Sequence, residues 1–157
     1  GPGSFTGTRL ACSVAQGLAY SIGIPAISVS SMQVLAQGIN REFKCAEVTV
    51  LINAHMEQIY VGKFKFTEEH VLSASEKALY LNEFKKVNLS QDSFFVGDGC
   101  QLVEEHLKEF DAKVYERYPN AEDLLTEAER RFKEGITLDP KDLEPVYLSG
   151  EEHWTKK

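Results

Sequence analysis

Apolar residues return every fourth position near the start of the chain. Leu10, Val14, Leu18 and Ile22 form a large ridge, and Ala11, Ala15 and Ala19 form a parallel ridge of small side chains. That period predicts a helix over residues 8–20, opened by Ser4 or Thr6 as its cap. Ser13 and Gly17 add another small pair, and small residues let a neighbouring backbone approach closely. Such a helix suits two neighbours, one on each ridge; a helix buried wholly within its own subdomain fits the same pattern. Residues 24–29 then predict a short buried strand, and Ser30 or Ser31 caps a second helix running to about Ile39. The polar residues 40–45 suggest a connection to a different unit.

From Glu47 the period shortens to that of strands. Residues 48–53 and 59–66 flank a tight turn at 54–57, which predicts an antiparallel hairpin. Residues 70–74 add a third strand, Leu81–Lys86 a short helix, and Phe94–Val96 a brief buried strand ending in Gly97-Asp98-Gly99. A helix is expected over 101–110 and a strand over 114–117. Asn120 caps a helix over 121–134 that points Leu125, Ala128 and Phe132 inward and stops at Gly135. The tail 143–148 is extended, with Trp154 packed back on the domain. Strands alternating with helices give an α/β class with some antiparallel pairing.

Composition narrows the partners. The chain has 157 residues, 43% of them hydrophobic and 26% charged, with a net charge of −7. Phosphate binding needs clustered Lys and Arg, so a strong nucleic-acid footprint on this chain alone is disfavoured. A complex whose other subunit holds the nucleic acid stays open. Cys12, Cys45 and Cys100 are odd in number and widely spaced, which suits buried cytosolic thiols. No apolar run approaches the ~18 residues of a membrane-spanning helix. A cytoplasmic protein is expected.

The opening GPGSFTG is a glycine-rich turn running into a helix N-terminus, where free backbone N–H groups and the helix dipole can hold an anion. Gly3 and Gly7 enclose three residues and Thr8-Arg9 follows, whereas a P-loop needs four and then Gly-Lys-Ser/Thr. A structural turn and a phosphate site both remain, with Gly1, Gly3, Ser4, Gly7 and Asp98 as the candidate phosphate or nucleotide residues. Asp98 between two glycines suits a magnesium ion or a ribose, and equally a turn with Gly at positive φ and Asp as side-chain cap.

GPGSFTGTRLACSVAQGLAYSIGIPAISVSSMQVLA closely resembles the signature of the bacterial TsaB family, in which GPGSFTG-x-R opens a helix ending in a GLA segment. The resemblance continues in Asn53-Ala54-His55-Met56-Glu57-Gln58-Ile59-Tyr60, similar to the family's Asp-Ala-Arg-x-x-Glu-x-Tyr hairpin. It extends to Val96-Gly97-Asp98-Gly99, to residues 119–121 with Gly135, and to Pro145-Val146-Tyr147-Leu148, similar to a closing PxYLR. Gly-Pro-Gly-Ser is also a familiar remnant of tag removal; several motifs in order favour residues 1–7 as native. Asn53, His55 and Ser149 depart from the family's Asp, Arg and Arg, which puts any ionic role of those positions in doubt.

The resemblance implies an actin-like, ASKHA-type fold. Residues 1–45 would be the remnant of the N-terminal subdomain and 46–157 the C-terminal subdomain, with three strands and a helix expected ahead of the glycine turn. It also implies a non-catalytic subunit for threonylcarbamoyladenosine, the modification beside the anticodon of tRNAs that read ANN codons. TsaD would carry the metal, the transfer and much of the tRNA contact, and the ATPase TsaE would join the pair. ATP and metal would belong to the complex, with no cofactor on this chain and tRNA reached only through it. The implied interface with TsaD, or with a second copy, is Leu10, Ala11, Val14, Ala15 and Leu18.

Two other classes compete. A nucleotide-dependent enzyme of the actin-like kinase type would use residues 1–7 and 97–99. A metalloprotease-like activity would need paired ligands such as HxxxH, and His55, His70, His106 and His153 form no such pair. Ser4 and Ser13 lack a nearby base in sequence, and Glu104-Glu105 and Glu151-Glu152 suit solvated charges.

Overall fold

Strand β1 (Glu47–His55) lies at the centre of the computed structural model, which describes residues 1–68, 70–89, 93–110 and 112–148. It pairs antiparallel with β2 (Gln58–Thr67), from Glu47↔Lys65 to His55↔Gln58. β3 (His70–Tyr80) continues the antiparallel meander beyond β2 and is longer than the expected 70–74. On its other side β1 runs parallel to β4 (Phe94–Val96), which runs parallel to β5 (Lys113–Tyr115). The order is β3-β2-β1-β4-β5.

Successive residues of β1 point to opposite faces, and Val48, Thr49, Val50 and Leu51 are all buried. The sheet is therefore covered on both sides. One cover is α2 (Ser31–Phe43), capped by Ser30, whose hydroxyl accepts from Met32 N at 3.2 Å. Met32, Leu35, Ala36 and Ile39 pack on Val48, Val50, Phe64, Phe66 and Val96. This helix runs on through residues expected to be a connection. Asn40 is buried, with its amide donating to Cys45 O at 2.9 Å, and the Phe43 ring lies 4.8 Å from that of Tyr115. Residues 40–45 are a packed helix end, not a linker.

The opposite cover is a set of short turns. Phe84, from the 3-10 turn Leu81–Lys86, joins Leu51, Ile59, Val61 and Phe95 in a second core. The helix expected at 101–110 is instead a 3-10 turn, Asp98–Val103, followed by α3 (Glu104–Lys108). Residues three apart align in a 3-10 turn, so Cys100 and Val103 enter the core together, and Leu107 follows from α3.

α4 (Ala121–Lys133) is capped as expected, with Asn120 Oδ1 accepting from Glu122 N at 3.0 Å. Its orientation is the reverse of the expected one. Leu125 and Phe132 are 63% and 62% exposed, while Asp123 and Glu127 are buried against α2. At Gly38 of α2 a Cβ would lie 2.7 Å from Asp123 Oδ2, so the missing side chain makes room for the carboxylate. The period locates a face; which side the body lies on is decided by α2.

α1 (Phe5–Ile22) precedes residues 24–29, which do not form a strand. Ala26 alone pairs, exchanging two backbone hydrogen bonds with Leu138 at 2.8 and 2.9 Å. A strand needs a neighbour along its length, and here the neighbour offers one residue. Residues 143–148 form no regular element, as expected for an extended tail, with Leu143 buried. Ser149, Glu151-Glu152, His153 and Trp154 lie outside the described residues. No described helix is long and apolar enough to cross a membrane.

Candidate functional site: the outer face of the first helix

α1 begins where Ser4 Oγ accepts from Gly7 N at 3.3 Å and ends at Gly23, whose φ of 69° turns the chain away. Thr8, Cys12 and Gln16 are half-buried and Ala19 is buried, so these four mark the inward line of the helix. Leu10, Val14, Leu18 and Ile22 are 51–68% exposed. Ala11 and Ala15 are exposed as well. The expected interface set therefore lies together on the open side; the large ridge is uncovered by the described part of the chain, and the small ridge is covered only at Ala19. Full burial of each large residue would contribute about 1.5–3 kcal/mol. Arg9 is the single charged residue of α1. Its guanidinium sits 3.7 Å over the Phe5 ring, and its Nε donates to the Tyr147 hydroxyl at 2.8 Å. The open face is thus apolar and nearly free of charge.

The two glycine turns hang on different elements. Gly1 O accepts from Ser31 N at 3.0 Å, and Ser4 is engaged as the helix cap. Gly3 and Gly7 are exposed. Asp98 Oδ1 accepts from Asn53 N at 3.0 Å, closing the end of β1. Gly97 has φ 111°, donates to Tyr115 O at 3.1 Å, and a Cβ there would lie 2.3 Å from Leu51 O. This is the geometry of a capped turn pressed against a strand.

His55 and His70 are exposed. His106 stands edge-on to Phe84 and Phe110, at 5.8 and 5.2 Å between ring centroids, with Nδ1 3.4 Å from Glu109 Oε2. Among the described residues no three His, Cys, Asp or Glu side chains gather as metal ligands. Cys100 is buried, and burial, helped by nearby Asp98, pushes its thiol up to about 12. Cys12 and Cys45 are only half-buried, against the expectation of buried thiols; burial raises the Cys45 thiol as well.

Two further features join distant parts of the chain. One is the charged seam between α2 and α4. Arg41 Nε donates to Asp123 Oδ1 at 2.7 Å, while buried Glu127 accepts from Arg130 Nε at 2.9 Å and Arg131 Nε at 2.7 Å. Burial alone would raise the Glu127 carboxyl, but hydrogen bonds from Arg130, Arg131 and Gln33 outweigh it and hold the group at about 2. The i, i+3, i+4 spacing of Glu127, Arg130 and Arg131 was the available signal. The other is the return of residues 136–148 to α1, where Gln16 Nε2 donates to Leu143 O at 2.9 Å. With 127 positions between them, no local pattern links these residues.

Known proteins match this arrangement over nearly its whole length. A family model described as TsaD, tRNA N6-adenosine threonylcarbamoyltransferase, matches residues 1–157. The tRNA threonylcarbamoyladenosine biosynthesis protein TsaB of Escherichia coli (strain K12) is 34% identical over 165 residues, covering 99% of this chain and 71% of the relative. The TsaB of Haemophilus influenzae is 29% identical over 176 residues, covering 99% and 70%. The solved structure described as YeaZ from Pseudomonas aeruginosa superposes with a TM-score of 0.83 at 34% identity, covering 94% of this chain and 71% of that one. These matches support the actin-like fold that the resemblance implied, and by sequence and fold together the chain belongs to the TsaB (YeaZ) family.

Proposed function

We propose that this chain serves tRNA threonylcarbamoyladenosine biosynthesis as a non-catalytic subunit. It supports TsaD in transferring the threonylcarbamoyl group to the adenosine beside the anticodon, and α1 is the face it offers. Leu10, Ala11, Val14, Ala15 and Leu18 meet TsaD, or a second copy of this chain when TsaD is absent. TsaE joins the pair, tRNA is reached through the complex, and ATP and metal are held by the other subunits, all in the cytoplasm. In this reading residues 1–45 belong to the N-terminal ASKHA subdomain and 46–157 to the C-terminal one. α2 comes from the first and rests on the sheet of the second.

One observation carries the reading. An 18-residue helix with one charge leaves its apolar ridge at 51–68% exposure, and exposed apolar patches on soluble proteins mark interaction sites. Purified chain given threonylcarbamoyl-adenylate and unmodified tRNA yields no modified base unless TsaD is added. Val14→Glu abolishes co-elution with TsaD and leaves the melting temperature unchanged. Modification without TsaD, or undiminished binding by the variant, overturns the proposal.

A further inference from the structure

α1 buries a narrow line of side chains, and what lies against that line comes from the other end of the chain. Of the named elements, α1 packs chiefly on the 3-10 turn Pro140–Asp142. Ser13, Gln16, Gly17 and Tyr20 line a shallow cleft of about 330 Å³ with Pro140 and Lys141. Gln16 Nε2 donates to Leu143 O at 2.9 Å and lies 3.5 Å from Lys141 O. At the amino end of α1, Arg9 donates to the Tyr147 hydroxyl, and the Phe5 and Tyr147 rings lie 6.1 Å apart. Just after α1, Ala26 is bridged to Leu138, and Arg131 donates to Ser28 O. These contacts fall along the whole length of the helix, all from residues 131–147.

We propose that residues 136–148 form a strap that holds α1 and sets the direction of its apolar ridge, with Gln16 as the positioning residue. The side-chain amide of Gln16 is a donor between two backbone carbonyls of the strap, midway along the helix. A carbonyl buried beside a helix needs such a donor, and losing it frees both elements. The consequence for partner binding rests on the reading of α1 as the interface; the strap itself does not.

Gln16→Glu keeps the size of the side chain and removes the donor, while Gln16→Lys keeps an N–H donor. Hydrogen exchange followed by mass spectrometry on the full chain reads the result. Gln16→Glu is expected to speed exchange across α1 by about tenfold, with the amides of β1 unchanged, since local opening is independent of global unfolding. Gln16→Lys restores the slow exchange. Unchanged α1 exchange in Gln16→Glu, or equal acceleration in α1 and β1, overturns the proposal. Val14→Glu separates the two ideas, because Val14 lies on the exposed ridge and is not among the residues lining the cleft with Pro140 and Lys141. Slow α1 exchange with TsaD binding lost supports both. Slow exchange with binding retained sinks the interface reading and leaves the strap standing.

Discussion

α1 and α2 start alike and end differently. Each is opened by a serine hydroxyl, and each carries few charges. α2 buries nine consecutive residues, Met32 through Asn40, out of 13, whereas α1 buries Ala19 alone out of 18. The more continuous apolar ridge belongs to the less buried helix. Apolar periodicity states what a helix can bury; burial requires a surface within reach. α2 has a sheet on one side and α4 on the other, while α1 has a thin strap.

Substitutions can break or sharpen that contrast. The largest effect is expected where α2 meets the sheet. Phe64 is buried against Met32, and Phe64→Ala should cost about 3–5 kcal/mol in urea unfolding. A cost under ~1 kcal/mol would mean that α2 is held as lightly as α1.

Next comes the seam on the other side of α2. Glu127→Gln leaves two arginines facing a neutral amide, and should cost about 2–4 kcal/mol. The same group gives a pH dependence. Its folded pKa of about 2 lies below the ordinary value of 4.5 for a glutamate, so its contribution is present above pH 4.5 and is lost as pH falls from there towards 2. Urea midpoints taken through that window should fall more steeply in the parent than in Glu127→Gln.

Asn120→Ala removes the α4 cap and should cost about 1 kcal/mol. Smallest of all, Leu18→Ala on the open ridge should change stability by no more than ~0.5 kcal/mol. A cost of 2 kcal/mol or more there would show that α1 is covered, by a second copy or otherwise; a dilution series in the same assay separates these.

Local rules found much of the architecture. Phe94–Val96 and Leu81–Lys86 stand as expected, and Ser4, Ser30 and Asn120 cap their helices. Each depends on residues within a few positions of one another. Errors gathered where distant parts decide. Residues 24–29 have strand-like composition, but their partner is a single residue 112 positions away, from Ala26 to Leu138. α4 shows its apolar face to solvent because Gly38 and Arg41 of α2 receive its carboxylates. The candidate face was legible in the four-residue period of Leu10, Val14 and Leu18. How much of it stays exposed depends on what the rest of the chain leaves uncovered. The glycine turns showed where tight backbone was needed, while the placement of Asp98 against Asn53 needed the parallel pairing of β1 and β4.

The strap also sets an order of events during synthesis. The meander β1-β2-β3 is closed by neighbouring residues, so it can form soon after it emerges from the ribosome. Gln16 must wait for Leu143, 127 positions later. At translation rates of about 5–20 residues per second that wait is roughly 6–25 s. Through that interval α1 has its apolar ridge exposed and no anchor beneath it. α1 is thus made well before the segment that secures it, which makes it the natural client segment for a chaperone acting at the exit tunnel.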